Sequence, residues 1–123
     1  MAVLMRTYKV SDLVGELAMD TNDGKKVYDV IHPELLAGHN VELDFEGVRI
    51  IAPAFWGRTV ADLFLDIKPE EFHRLFKAIN LSPNDIEGLE LMVEDAIEYH
   101  TNPAVRAAVD AVMEKMSRGD YDR

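Results

Sequence analysis

The sequence predicts an α/β fold, with strands and helices alternating along one domain, and three observations predict it. Val41, Leu43 and Phe45 alternate with Glu42, Asp44 and Glu46, a period of two that buries one strand face and leaves the other polar. Pro53, Pro83 and Pro103 stand where apolar residues begin to recur at helical spacing. Proline is well placed at a first helical position, where its missing N–H has no partner to lose. Between these stretches lie glycines and Asn/Asp clusters such as Asp20-Thr21-Asn22-Asp23-Gly24, which turn the chain or cap helices.

Taken in order, residues 3–10 mix apolar and β-favouring side chains and predict an opening strand. Residues 16–19 fit a second short strand of a hairpin. After the Asp20–Gly24 cluster a helix carries Val27, Val30 and Ile31 on one face. Pro33 interrupts or restarts it, because proline lacks the N–H and clashes with the preceding turn. Leu35 and Leu36 continue the apolar face, and Gly38 is the expected C-terminal stop. The strand around Val41 to Phe45 is followed by a tight turn at Gly47. Val48, Ile50 and Ile51 return to the core. A helix opening at Pro53 carries Val60, Leu63, Phe64 and Ile67.

Residues 69–81 fit two patterns. Phe72, Leu75, Phe76 and Ile79 have helical spacing, while Phe76, Ala78 and Asn80 alternate with Lys77, Ile79 and Leu81. The expectation is a short helix from Pro69, then a strand over 75–81. Ser82 caps a helix that turns Ile86, Leu89, Val93 and Ile97 inward. Asn102-Pro103 repeats the cap-then-proline signal and begins a last helix with Val105, Ala108, Val109 and Val112. The chain is therefore read as one domain over 1–116 with a frayed tail over 117–123.

Composition narrows the function classes. A 123-residue chain that is 48% hydrophobic can build one real core. It has no cysteine, which excludes disulfides, thiolate metal sites and a thiol nucleophile. A formal net charge of −10 repels phosphate backbones and anionic lipid, so neither nucleic acid nor membrane is an expected partner. No apolar run approaches the length of about 18 residues that spans a bilayer. The N-terminus MAVLMRTYKV has no basic region followed by a long apolar one, so no signal peptide is expected and the expected location is cytoplasmic. Without a secretion signal, the acceptor-like Asn80-Leu81-Ser82 carries no weight.

Residues 41–58, VELDFEGVRIIAPAFWGR, carry a resemblance. The run from Leu43 to Val48, the apolar step Ile50-Ile51, and Phe55 with Gly57 resemble the STAS-like domains of unknown function, relatives of the anti-sigma-factor antagonists. Asp23-Gly24 with Val27 upstream, and Asn80-Leu81 before an acidic helix downstream, extend the similarity over residues 7–99. The resemblance implies a mixed sheet of about four strands with helices mainly on one side. It also implies protein–protein switching, bacterial origin, and a partner such as a histidine-kinase-like ATPase or a transcriptional regulator. In the better-known antagonists a serine opens the helix after the third strand, and its phosphorylation, adding a charge of about −1.5 to −2, breaks partner binding. The matching step here is Ala52, Pro53 and Ala54, with no hydroxyl. Thr59 lies about a turn and a half further on, at roughly 3.6 residues per turn.

The sequence-level candidates are weighed against plainer roles. Trp56 and Arg58 are expected to border a protein-binding patch, because aromatic and arginine side chains dominate interface hot spots; Phe55 is expected in the core. Glu87, Glu90, Glu94 and Glu98 are expected on a solvated helix face rather than on a docking surface. Asp62 and Asp66 share a helix face, and with Asp44 they are the carboxylates available to an enzyme; solvation is their expected role, and no catalytic residue is assigned. His32, His39, His73 and His100 show no metal-ligand spacing. The Asp20–Gly24 segment fails as a calcium loop, because its glycine arrives one position early and the twelfth-position glutamate is absent. No cofactor is expected. The expectation is a non-catalytic regulatory domain; the alternative is a small-molecule sensor with an apolar ligand at the start of the Pro53 helix, and a constitutive adaptor or phage-defence component is a lesser one. Val105, Val109 and Val112 give the last helix an apolar face that serves either homodimerisation or packing on the domain's own sheet.

Overall fold

The computed structural model describes residues 5–118. Five short strands and six helices follow one another as β1 (Met5–Lys9), α1 (Val10–Val14), β2 (Leu17–Ala18), α2 (Thr21–Leu36), β3 (Asn40–Asp44), β4 (Ile50–Ile51), α3 (Pro53–Thr59), a 3₁₀ turn (Ala61–Leu65), α4 (Pro69–Leu75), β5 (Phe76–Ile79), α5 (Pro83–Thr101) and α6 (Pro103–Arg118). Val10, expected in the opening strand, starts α1 instead; positions 3 and 4 lie outside the described residues.

The α/β class holds, but the single mixed sheet of about four strands does not. The strands divide into a three-stranded sheet of order β1-β3-β5 and a two-stranded sheet β2-β4, and every pair is parallel. The reason lies in two connections. β1 runs directly into α1 instead of a tight turn, so β2 cannot fold back on it as a hairpin. Gly47, at φ +86°, makes the expected turn, with the Val48 N–H donating to the Phe45 carbonyl at 3.0 Å. The chain then leaves β3, and the Arg49 N–H finds the Glu16 carbonyl at 2.7 Å. Ile50 and Ile51 therefore pair with Leu17 and Ala18, two elements that sequence proximity does not connect.

Local signals fixed the helix ends. Asp20 caps α2, accepting the Asp23 N–H at 2.8 Å, and Ser82 caps α5, accepting the Asp85 N–H at 3.2 Å. Asn102 accepts the Ala104 N–H at 3.1 Å to start α6. After α2, Gly38 at φ +81° lets the His39 N–H reach the Glu34 carbonyl at 2.9 Å, the wrap-around bond of a glycine C-cap. Pro33 neither breaks nor restarts α2; it sits inside the last turn and a half. There it removes one N–H only, while Ile31 and Leu35 on either side stay buried. Residues 69–79 resolve as α4 followed by β5, in the expected order.

The core forms between the sheets and the helices. The buried face of α2 is Gly24, Val27, Ile31 and Leu35, and the buried alternates of the central strand run Val41, Leu43, Phe45. The Pro53 helix is shorter than expected: it ends at Thr59 and tightens into the 3₁₀ turn, which still buries Leu63 and Phe64. On α5, Val93 and Ala96 are buried, whereas Ile86, expected inward, is 44% exposed. No described residue of α6 is buried, so its valines do not pack on the sheet. α6 is held at its start instead, by the Tyr99 hydroxyl donating to Asp110 at 2.6 Å and by Arg106 over the Tyr99 ring at 5.2 Å. It continues to Arg118, two residues into the segment expected to fray; residues 119–123 lie outside the described ones. Among the described residues no helix is long and apolar enough to cross a membrane.

Candidate functional site

Parallel pairing of β2 with β4 sets two helix starts side by side. The ladder continues one residue beyond β4, with the Ala52 N–H donating to the Ala18 carbonyl at 2.8 Å. Each strand then opens a helix, α2 behind Asp20 and α3 behind Ala52. The two helices approach closely because Gly24 has no side chain. A Cβ built there would lie 2.8 Å from both the Phe55 carbonyl oxygen and the Arg58 Cβ. Thr59 closes the contact, its buried hydroxyl donating to the Gly24 carbonyl at 3.1 Å. That hydroxyl is fully enclosed, so the nearest Thr downstream of Pro53 is a structural bond and not an acceptor within a kinase's reach.

At the start of α3, Ala52 has extended backbone and no side-chain cap, and Pro53 takes the first helical position. Ala52 is half-buried, and Pro53 and Ala54 are exposed. None of the three carries a group that can be phosphorylated.

Trp56 and Arg58 separate. Trp56 is 3% exposed, its ring tilted on Phe45 at 5.3 Å and edge-on to Phe55 at 5.4 Å. It is a core side chain and offers almost no area to a partner. Arg58 reaches the surface, 31% of its side chain exposed, and joins a group that the sequence did not assemble. Its guanidinium lies 5.0 Å from the centre of the Tyr28 ring, and it pairs with Asp62 one turn on. Tyr28 stacks on His32 at 4.7 Å, and the His32 Nε2 meets the Asp66 carboxylate at 2.9 Å. The result is a continuous row across the α2–α3 surface: Asp62, Arg58, Tyr28, His32, Asp66. Burial, then the nearby Asp66 and Asp62 carboxylates, raise the Tyr28 pKa against the opposing pull of Arg58, with Asp29 adding a smaller rise. The phenol therefore stays protonated, a hydrogen-bond donor and not a nucleophile.

Each of the three carboxylates considered for catalysis is held by a different group. Asp62 faces Arg58 and Asp66 faces His32. Asp44 sits at the end of β3, accepting from Asn80 Nδ2 at 2.8 Å and from the Glu46 N–H at 2.9 Å. The histidines are likewise apart: His39 Nδ1 meets Glu34 at 2.9 Å, and Arg106 meets His100 at 3.0 Å. Among the described residues no group of three or more His, Asp or Glu side chains forms a metal cluster. Glu87, Glu90, Glu94 and Glu98 are exposed along α5.

The Asp44 tie carries a pH signature. Asn80, at φ +62°, is held in the left-handed region that non-glycine residues rarely enter, and its side chain locks the ends of β3 and β5 together. The Asn80 bond first, then the Glu46 N–H, hold the Asp44 carboxyl below its ordinary pKa. A carboxyl depressed in the folded state contributes stability that is present above its unfolded pKa and lost as pH falls through its folded one. Asp44→Asn is expected to be less stable than the parent at neutral pH, with the gap narrowing as pH drops through the acid range. Melting temperatures measured against pH for both chains check this, and a constant gap would contradict it.

A model of the family described as a STAS-like domain of unknown function matches residues 23–85. No curated protein and no solved structure matches the chain. The matched span runs from the start of α2 to the first turn of α5. It holds every residue of the Asp62–Asp66 row and is narrower than the 7–99 expected from the resemblance. As it covers just over half of the sequence, the chain belongs to this STAS-like family.

Proposed function

We propose that this STAS-like domain works by recognising another protein, through the surface on which Arg58 crosses Tyr28, and that it performs no chemistry of its own. The observation that carries the reading is the preset geometry of that surface. An arginine and a tyrosine, two of the residue types that dominate interface energetics, lie partly exposed and are already fixed by Asp62, His32 and Asp66. Side chains ordered before binding lose less entropy on association. On this reading the partner is of the class that the resemblance to the anti-sigma-factor antagonists implies, a histidine-kinase-like ATPase or a transcriptional regulator, in the bacterial cytoplasm. With alanine and proline at 52–54, switching falls to the state of the partner or to competition for it, not to phosphorylation of this helix.

Affinity purification of the full chain from its native host tests the reading. One protein captured in stoichiometric amount is expected. Turnover of a substrate, or a large rise in melting temperature with a single metabolite and no protein captured, would overturn it in favour of an enzyme or a sensor.

A further inference from the structure

Of the two edge strands of the three-stranded sheet, β1 and β5, the second lies beside a groove and shares no residue with the Arg58 row. Among the described residues β5 is paired on one side only, with β3. The Phe45 N–H donates to the Ile79 carbonyl at 3.0 Å, so Ile79 turns its backbone toward β3. In a strand the direction of the N–H and C=O alternates with each residue, so Ala78 turns both groups outward. The Phe76 carbonyl turns outward with them, while the Phe76 N–H is already taken by the Phe72 carbonyl. Beside this edge runs a groove of about 400 Å³ between β5 and α5. Phe72, Phe76, Ala78, Leu89 and Val93 line it, with Phe72 and Phe76 stacked at 4.7 Å. Glu90 and Glu94 of α5 also line it, as do Lys77 of β5 and His73 of α4; both glutamates are exposed, and neither makes an ion pair among the described residues.

We infer that this edge and groove take an extended segment of another polypeptide, added as a further parallel or antiparallel strand beside β5, with apolar side chains at alternate positions and a lysine or arginine facing Glu90 and Glu94. Three features select this occupant. The outward Ala78 N–H and C=O match a strand backbone, which gives affinity without sequence preference. The groove lies to one side of the edge, so it accepts every second side chain. Its two glutamates outnumber its one lysine, Lys77, and make no ion pair among the described residues, so a basic residue on the incoming strand has a carboxylate to meet. A helix could fill an apolar groove but would leave the backbone groups of the edge unused.

The test selects seven-residue peptides from a random displayed library on the full chain and titrates the enriched ones in solution. Enriched peptides are expected to alternate apolar residues and to carry Lys or Arg. Exchange of the Ala78 amide in the wild-type chain slows when such a peptide binds. Ala78→Pro removes the outward N–H without touching the ladder to β3, since proline is tolerated where the N–H faces away from the sheet; it weakens binding about tenfold, the loss of one hydrogen bond. Glu94→Lys weakens it severalfold, and exchanging Arg58 with Asp62 leaves it unchanged. Should Ala78→Pro fail to fold, the wild-type exchange experiment decides alone. The inference is overturned if no peptide is enriched, if an enriched peptide leaves Ala78 exchange unchanged, or if Ala78 is protected in a concentration-dependent way without peptide, which would make the occupant a second copy of this chain.

Discussion

Trp56→Ala is expected to lower the stability of the fold by about 3–5 kcal/mol, the range for emptying a buried aromatic site. Trp56 is buried against Phe45 and Phe55, three rings in mutual contact. On its far side a Cβ added at Gly88 of α5 would lie 4.0 Å from the indole Nε1, so the ring joins α3 to α5. Truncation leaves a cavity that the two helices cannot close without moving Phe45, which directly follows the central strand. A loss of that size is a large share of the roughly 5–15 kcal/mol that holds a domain together. Urea unfolding followed by circular dichroism checks it. Trp56 is the one tryptophan of the chain, so fluorescence follows the parent only. A loss below about 1 kcal/mol would contradict the core placement, since burial of an aromatic ring contributes more than that. This changes how a functional test is chosen: Trp56→Ala would weaken partner binding by destabilising the fold, whatever the partner touches.

Gly24→Leu is expected to have an effect of similar size by the opposite route. The position is helical and has ordinary φ, so the obstacle is space and not backbone conformation. The first carbon of any side chain would meet the Phe55 carbonyl and the Arg58 Cβ at 2.8 Å and the Thr59 Oγ1 at 3.2 Å. A backbone carbonyl cannot rotate away, so α2 and α3 must separate. Overpacking of this kind costs about 1–3 kcal/mol or more. Separation also breaks the buried bond from Thr59 to the Gly24 carbonyl, worth about 1–3 kcal/mol when one partner is left unpaired. Arg58 would leave the Tyr28 ring in the same movement. Gly57→Ala is the control: a Cβ there meets nothing within 4 Å, and alanine in place of glycine inside a helix stabilises by up to about 1 kcal/mol. Melting temperatures moving in opposite directions for the two variants are the expected result. A Gly24→Leu chain as stable as the parent would mean that the helices are not in close contact.

What the sequence disclosed, and what it withheld, divides along the range of the interactions. Caps at Asp20, Ser82 and Asn102, and the prolines behind two of them, were readable because a cap is satisfied within three residues of itself. The strand Val41–Leu43–Phe45 was readable because alternation is a local pattern. The family was readable from short ordered runs. The pairing of Ile50 with Leu17 was not, because two residues of strand leave no periodicity and their partner lies across α2. Neither was the burial of Trp56: adjacent aromatics at 55 and 56 face different directions on a helix, and the cover over Trp56 comes from α5, at Gly88. The surface row was half-legible. Tyr28 and His32 stand one helical turn apart, as do Arg58 and Asp62, and either spacing signals a shared face. That the two faces meet is decided by Gly24, whose place in a turn-and-cap cluster gives no sign of the helix that packs on it.

Removing the tryptophan from the proposed interface concentrates the recognition claim on Arg58 and its neighbours. Exchanging the two charges, Arg58→Asp with Asp62→Arg, keeps an ion pair between the same two positions of α3 and the 3₁₀ turn and reverses the field that a partner meets. The most direct test is therefore a titration of the captured partner against the parent and the exchanged chain, with melting temperatures matched. Binding weakened by at least about tenfold, or roughly 1.4 kcal/mol, at unchanged stability is the predicted result. Equal affinity for both chains would contradict the assignment of recognition to this surface.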